Sequence, residues 1–159
     1  MRIDILAVGK LKERYLLDAQ GEYLKRLQPY AKTHITEVPD ESIAEGSSPA
    51  VIQQALNREA ARLAKYLREG MFIIALDRKG RELPSEELAA HLEDLAIRGN
   101  SHLAFIIGGS QGLSDKLLTK SDWCLSFSRL TFPHQLARII LLEQIYRTFR
   151  IRRGEPYHK

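Results

Sequence analysis

The sequence predicts an α/β fold, a largely parallel sheet flanked by helices, and three observations predict it. Strand-like and helix-like segments alternate from end to end of the 159 residues, the order that builds βαβ units. Two strand candidates, Met71–Leu76 (MFIIAL) and Leu103–Ile107 (LAFII), are apolar throughout, as strands covered on both faces are. The segments between them carry apolar residues three and four apart, which gives each helix one face to bury. No internal repeat and no linker interrupts the pattern, so residues 1–159 read as a single domain, large enough to enclose a real core.

Taken in order, Arg2–Val8 alternates like a strand and is closed by Gly9-Lys10. Tyr15, Leu16, Ala19, Tyr23, Leu24 and Leu27 recur at helical spacing, giving a helix over about Leu11–Leu27 that Pro29 ends. Thr33–Val38 is rich in β-branched residues and reads as a strand, whereas Pro39–Ser48 is acidic and unpatterned and reads as a loop. Ser48-Pro49 supplies an N-cap with proline at the first helical position. The helix it opens carries Ile52, Leu56, Leu63 and Leu67 on one stripe and runs to near Gly70.

After MFIIAL, Asp77–Gly80 reads as a turn, and Ser85 is expected to cap a helix with Glu86 and Glu87 at its positive end and Leu88, Leu92 and Leu95 facing inward. Ser114 opens a short helix, and Cys124–Phe127 is a fifth strand. The last helix spans about Gln135 to Arg152, and Arg153–Lys159 (RGEPYHK) trails after it.

Composition removes several classes of function. Hydrophobic content of 44% with 28% charged residues is that of a soluble globular chain. A single cysteine excludes a disulfide framework and a multi-cysteine metal site, and suits a reducing cytoplasm. Cys124 itself reads as core packing, and no metal is expected. The amino terminus is short, carries Asp4 and alternates like a strand, unlike a signal peptide; no apolar run approaches the roughly 20 residues of a membrane span. The formal net charge is +4, and it is unevenly placed. Residues 1–119 hold 16 Lys/Arg against 17 Asp/Glu, while residues 120–159 hold 8 against 3. A basic last quarter points to a polyanion, nucleic acid first, although cations also favour a helix carboxyl end.

Chemistry concentrates between Leu103 and Phe149. Gly108-Gly109-Ser110-Gln111-Gly112 follows a buried strand, and its glycines let main chain turn sharply and approach a ligand closely. It is neither a dinucleotide fingerprint nor a phosphate-binding loop. A second loop, Ser126–Pro133, leaves what reads as a neighbouring strand, and Phe127, Leu130 and Phe132 offer packing surface for a small planar ligand. His134, near a helix amino end, is either a general base or a structural hydrogen-bonder. Leu136, Ile139, Ile140, Tyr146 and Phe149 read as an inward stripe, on which Glu143 also falls. A carboxylate there needs a partner, and Arg147 is four residues on. Because Ile139–Leu142 makes this helix apolar nearly all round, burial against a second subunit is expected. The terminal Glu155-Pro156-Tyr157-His158-Lys159 would by itself be read as an inert end.

These motifs together resemble the ribosomal RNA large subunit methyltransferase H family, a minimal group of SPOUT (α/β-knot) methyltransferases. The matching segments are AVGKLK at Ala7–Lys12, FIIGGSQGL at Phe105–Leu113, LSFSRLTFPHQLAR at Leu125–Arg138, EQIYR at Glu143–Arg147 and the terminal RGEPYHK. The resemblance implies a C-terminal trefoil knot, S-adenosyl-L-methionine as cofactor, a cytoplasmic homodimer, and methylation of N3 of a pseudouridine in a 23S rRNA stem-loop on the assembled ribosome. Ribosomal RNA is then the partner, with no role for DNA or a membrane. Carried over by position, the cofactor residues are Leu76, Gly108, Phe127, Ser128, Arg129, Leu130, Thr131 and Phe132. The resemblance also makes the tail functional: Tyr157 and His158 would complete the active site with Glu143 and Arg147, His158 as base or as orienter of the base. Two other readings stand beside this one. They are a non-catalytic RNA-binding dimer that keeps the fold, and a nucleotide-cofactor enzyme, against which the missing fingerprint counts.

Overall fold

The computed structural model describes residues 1–157, and among them five strands alternate with five helices. In chain order these are β1 (Arg2–Val8), α1 (Arg14–Leu27), β2 (Lys32–Val38), α2 (Pro49–Ala64), β3 (Phe72–Glu82), α3 (Ser85–Ile97), β4 (His102–Ile107), α4 (Asp115–Lys120), β5 (Trp123–Ser126) and α5 (His134–Arg152). The strands form one sheet in the order β2-β1-β4-β3-β5, and every pairing is parallel. Expectation and structure agree on this α/β class.

The sheet separates two apolar layers. On one face Ile3, Ile5, Leu103, Phe105 and Ile74 pack with Leu27 of α1, Leu88, Leu92 and Leu95 of α3, and Leu141, Leu142 and Ile145 of α5. On the other, Leu6, Val8, Ala75 and Ile106 meet Ala60 and Leu63 of α2 and Leu117 of α4. Alternation along each strand produces this division, because successive side chains point to opposite faces. The central strands β1 and β4 bury both sets, and so apart from Arg2, Asp4 and His102 their residues are apolar.

Several boundaries move for identifiable reasons. Helix α1 starts at Arg14 rather than Leu11; the Leu11 amide is instead taken by Glu37 at 3.2 Å. Helix α2 stops at Ala64 rather than near Gly70, and the Leu67 side chain still packs on the core beyond it. Asp77–Gly80 is a turn only in part: it is looped out within β3, so that both Leu76 and Arg81 pair with Leu125. Ser85 lies inside α3, whose N-cap is Pro84, and its hydroxyl donates to Gln144 of α5 at 2.8 Å. Strand β5 is one residue earlier than expected, leaving Phe127 in the loop. Of the expected inward stripe, Tyr146 and Phe149 are buried, Ile139 and Ile140 are half-buried and Leu136 is 41% exposed; α5 also turns Leu141, Leu142 and Ile145 to the core.

Among the described residues the charged side chains of Asp4, Glu59 and Arg138 are buried, and Arg138 lies deepest in the packing. Arg138 of α5 is 1% exposed. Its guanidinium donates to the Gly9 carbonyl at 2.9 Å and pairs with Glu37 at the end of β2. A buried cation of this kind is held by its partners, and removing one side strands the other. Arg138→Ala should therefore lower the unfolding free energy by about 3 kcal/mol, measured by urea denaturation. Glu37→Gln in the same background should add little, because the two act as a pair.

Candidate functional site

The carboxyl ends of β3, β4 and β5 open into a cleft of about 600 Å³, the usual place for a ligand in an open α/β sheet. Its walls come from three segments. The turn Gly108–Gly112 leaves β4, residues 126–132 leave β5, and Leu76 to Lys79 project from the looped-out part of β3 between them. The two loops therefore do not leave neighbouring strands, as their sequences suggested, because β3 lies between β4 and β5. That interposition brings Leu76 to the floor of the cleft.

The glycine turn is a matter of space. A Cβ on Gly108 would lie 2.3 Å from the Gly112 carbonyl oxygen, so no other residue fits while Gly109 and Gly112 bridge. Beneath the turn, buried Glu59 accepts from the Glu41 amide at 2.9 Å and ties the 39–48 loop to α2. In the second loop the Ser128 hydroxyl accepts from the Leu130 amide at 3.0 Å, a local turn that presents main chain to the cleft. Arg78 donates to Thr131 Oγ1 at 2.8 Å, linking the β3 and β5 walls.

Of the eight expected cofactor residues, Leu76, Gly108, Phe127, Ser128, Leu130, Thr131 and Phe132 line this cleft. Arg129 does not: its side chain is 94% exposed and faces Glu82 at 3.5 Å. Sequence reasoning missed Asp77, Arg78 and Lys79, which also line it, having read them as a plain turn. It missed Gln53 and Leu56 of α2 as well, and no local signal marks those. His134 lines the cleft at the start of α5. Burial, and then the nearby Arg138 cation, hold its imidazole below the ordinary value of 6.5, so it is neutral at neutral pH. Cys124 is half-buried on β5 against the α2–α4 core, and burial pushes its thiol up.

The chain is similar in sequence to known proteins over its whole length. A family model described as "Predicted SPOUT methyltransferase" matches residues 1–158. The chain is 54% identical over 159 residues to the ribosomal RNA large subunit methyltransferase H of Desulforamulus reducens, covering all of this chain and 99% of that protein. It is 55% identical to the protein of that name from Alkaliphilus oremlandii and 52% identical to that from Bifidobacterium adolescentis, with both chains covered in full. The chain belongs to the ribosomal RNA large subunit methyltransferase H family of SPOUT methyltransferases.

A second cluster in this SPOUT chain lies away from the cleft, on α5 and the tail. Glu143 Oε1 accepts from Arg147 Nε at 2.9 Å and from the Tyr157 hydroxyl at 3.2 Å, while Gln144 donates to Glu143 Oε2 at 2.7 Å. The Arg147 guanidinium sits 4.8 Å from the centre of the Tyr157 ring, and that ring meets Tyr146 edge-on at 4.9 Å. Burial, and then the hydrogen bond with Tyr23, push the Tyr157 phenol up to about 12. It therefore stays protonated and can act as a donor rather than a base. Glu143, Arg147 and Tyr157 thus come together within the chain, and His158 lies outside the described residues.

The lowered His134 value has a definite sign. A neutral imidazole in the fold contributes stability that is fully present above about 6.5 and is lost as pH falls through the depressed folded value. The urea midpoint should drop between pH 7.5 and pH 5.5, and drop less in His134→Gln. Equal drops in the two proteins would refute this account of His134.

Proposed function

We propose that this protein uses S-adenosyl-L-methionine to methylate N3 of a pseudouridine in a 23S rRNA stem-loop on the assembled ribosome, as a cytoplasmic homodimer with a knotted carboxyl-terminal segment. The observation that carries the reading is the cleft, seven of whose walls are the positions the family resemblance assigns to the cofactor. Three full-length relatives at 52–55% identity, each named for ribosomal RNA methylation, support the substrate class.

The residues present fit such a cofactor. The cleft volume of about 600 Å³ suits a nucleoside-sized ligand. Leu76, Phe127, Leu130 and Phe132 give apolar walls, and the main chain of residues 108–112 and 126–132 gives donors and acceptors. Bound there, the cofactor would supply an activated sulfonium methyl, so the protein's task is alignment rather than activation.

Chain residues account for the rest. The N3 imide proton must leave, since a neutral imide nitrogen is a poor nucleophile. Arg147, held by Glu143, can stabilise the anionic base edge, and protonated Tyr157 can donate to it. His158 is the proposed base or its orienter. Glu143, Arg147 and Tyr157 do not line the cleft of their own chain: α5 begins at the cleft with His134, and Arg147 lies 13 residues on, about 20 Å along the axis. A partner subunit can close that gap. Its seat would be the outer face of α5, where Leu136 is exposed and Ile139, Ile140 and Glu143 are half-buried. No helix among the described residues is long and apolar enough to cross a membrane.

The deciding experiment is transfer of labelled methyl from S-adenosyl-L-methionine to ribosomes lacking the modification. Incorporation at one pseudouridine is expected; no incorporation by well-folded protein rejects the reading. Gly108→Ala should weaken cofactor binding, measured by calorimetry, by at least about tenfold, since the added Cβ closes onto Gly112. Removal of residues 157–159 should cut turnover by about a hundredfold or more with cofactor affinity unchanged within a few-fold. A truncated protein with full turnover would take the tail out of the mechanism.

A further inference from the structure

The route by which the chain reaches Tyr157 is itself built. Helix α5 ends with Gly154 at φ +63°, the left-handed conformation that glycine adopts without strain. The Gly154 amide donates to the Ile151 carbonyl at 3.0 Å and the Glu155 amide to the Arg150 carbonyl at 2.9 Å. This crossed pair is the Schellman arrangement, which reverses the chain and sends it back along the helix.

Immediately after the reversal, Glu155 is caught. Its Oε2 accepts from the Tyr30 hydroxyl at 2.5 Å and pairs with Arg150 at 2.7 Å. Arg150 also donates to the Tyr30 oxygen at 3.2 Å and to the Pro156 carbonyl at 3.3 Å. The Tyr30 ring is fixed in turn, stacked on Phe149 at 5.4 Å with Arg153 over it at 4.5 Å. Tyr30 belongs to the α1–β2 connection, 125 residues from its tail partner. Chain leaving a helix end normally frays, yet here a closed triangle of phenol, carboxylate and guanidinium holds it two residues before Tyr157. The reversal alone would end the helix; the triangle is needed only to fix where the chain goes next.

We infer that Tyr30, Arg150 and Glu155 form a clasp that aims the terminal residues at their site of action, with Tyr30 and Glu155 acting as positioning residues for methyl transfer. This rests on the proposed role of the tail, and goes beyond it by assigning a task to residues that belong to neither the cleft nor the Glu143–Arg147–Tyr157 cluster. The clasp works through the placement of Tyr157 and the chain end, and none of its three members lines the cleft.

The test uses the full-length protein and the variants Tyr30→Phe, which keeps the stacked ring, and Glu155→Gln, which keeps an acceptor for Tyr30 but loses the charge that Arg150 pairs with. Two readouts are taken. One is trypsin cleavage of the Arg153–Gly154 bond under native conditions, followed by release of the 154–159 peptide, which reports local opening of the tail. The other is methyl transfer to ribosomes, resolved into kcat and KM, with cofactor affinity by calorimetry. In Tyr30→Phe, cleavage should rise at least several-fold and kcat should fall about tenfold, the rate equivalent of one hydrogen bond to a charged group. Ribosome KM and cofactor affinity should stay within about twofold of wild type, as a role confined to orientation requires. Glu155→Gln should fall between wild type and Tyr30→Phe in both readouts. Faster cleavage with unchanged kcat, or lower kcat with unchanged cleavage, overturns the clasp. Failure of the wild type to methylate at all sinks the underlying reading and the positioning role with it. A failure of the clasp alone leaves wild-type turnover intact, so the two are told apart.

Discussion

The interaction on which the rest of the structure depends is the burial of the Arg138 guanidinium between the Gly9 carbonyl and Glu37. Apolar contacts between α5 and the sheet are plentiful but undirected, and a helix with leucine and isoleucine on several faces can satisfy them in more than one rotation. A buried arginine cannot be so indifferent. Its planar fork has one arrangement in which both partners are met, and any other leaves a charge unpaired. Rotation and axial position of α5 follow from that single fit. Much of the site chemistry hangs on α5: His134 at its start borders the cleft, Glu143 and Arg147 sit mid-way, and Gly154 launches the tail from its end.

This arrangement also explains why the two clusters are separate. The cleft needs strand ends and their loops, because only there do main-chain donors and acceptors lie free of the sheet ladder. The ion pair of Glu143 and Arg147 needs a helix face, because i,i+4 spacing brings the two together cheaply. A helix that starts at the strand ends and runs back across the sheet carries the second group away from the first. On the proposed reading, a symmetric partner is therefore a requirement of geometry rather than an embellishment, and the exposed Leu136 side of α5 is its natural seat.

Much of the fold was legible because its signals are local. Continuous apolarity in MFIIAL and LAFII announces covered strands, and Ser48 and Ser114 do cap the helices they open. What was hidden is long-range. Strand order is invisible to periodicity, so the loops after β4 and β5 looked adjacent when β3 lies between them. Asp77–Gly80 read as a turn because a looped-out segment of a parallel strand carries the same Asp, Lys and Gly. The expected stripe held at Tyr146 and Phe149 but failed at Leu136, because α5 is apolar on several sides, which leaves the phase of its buried face undetermined. The signal that would have fixed that phase was Arg138, a charge in an apolar helix. Glu143 could be paired from sequence because its partner lies four residues away, whereas the partners of Arg138 lie 101 and 129 residues away.

The protonation pattern of the α5–tail cluster narrows the chemistry it can perform on the proposed substrate. Both carboxylate oxygens of Glu143 are engaged, one by Arg147 and Tyr157 and the other by Gln144. A carboxylate satisfied in this way is a holder of donors, and drawing a proton to it would break the bonds that position them. Tyr157, pushed up to about 12, keeps its own proton at any physiological pH. What the cluster offers an approaching imide is thus a cation and a neutral donor. Those are the groups that lower the cost of the anion once the N3 proton has gone, rather than groups that carry the proton away. Proton removal on this scheme is left to a group with a midrange pKa or to solvent at the base edge, and the described side chains act by making the deprotonated base worth forming.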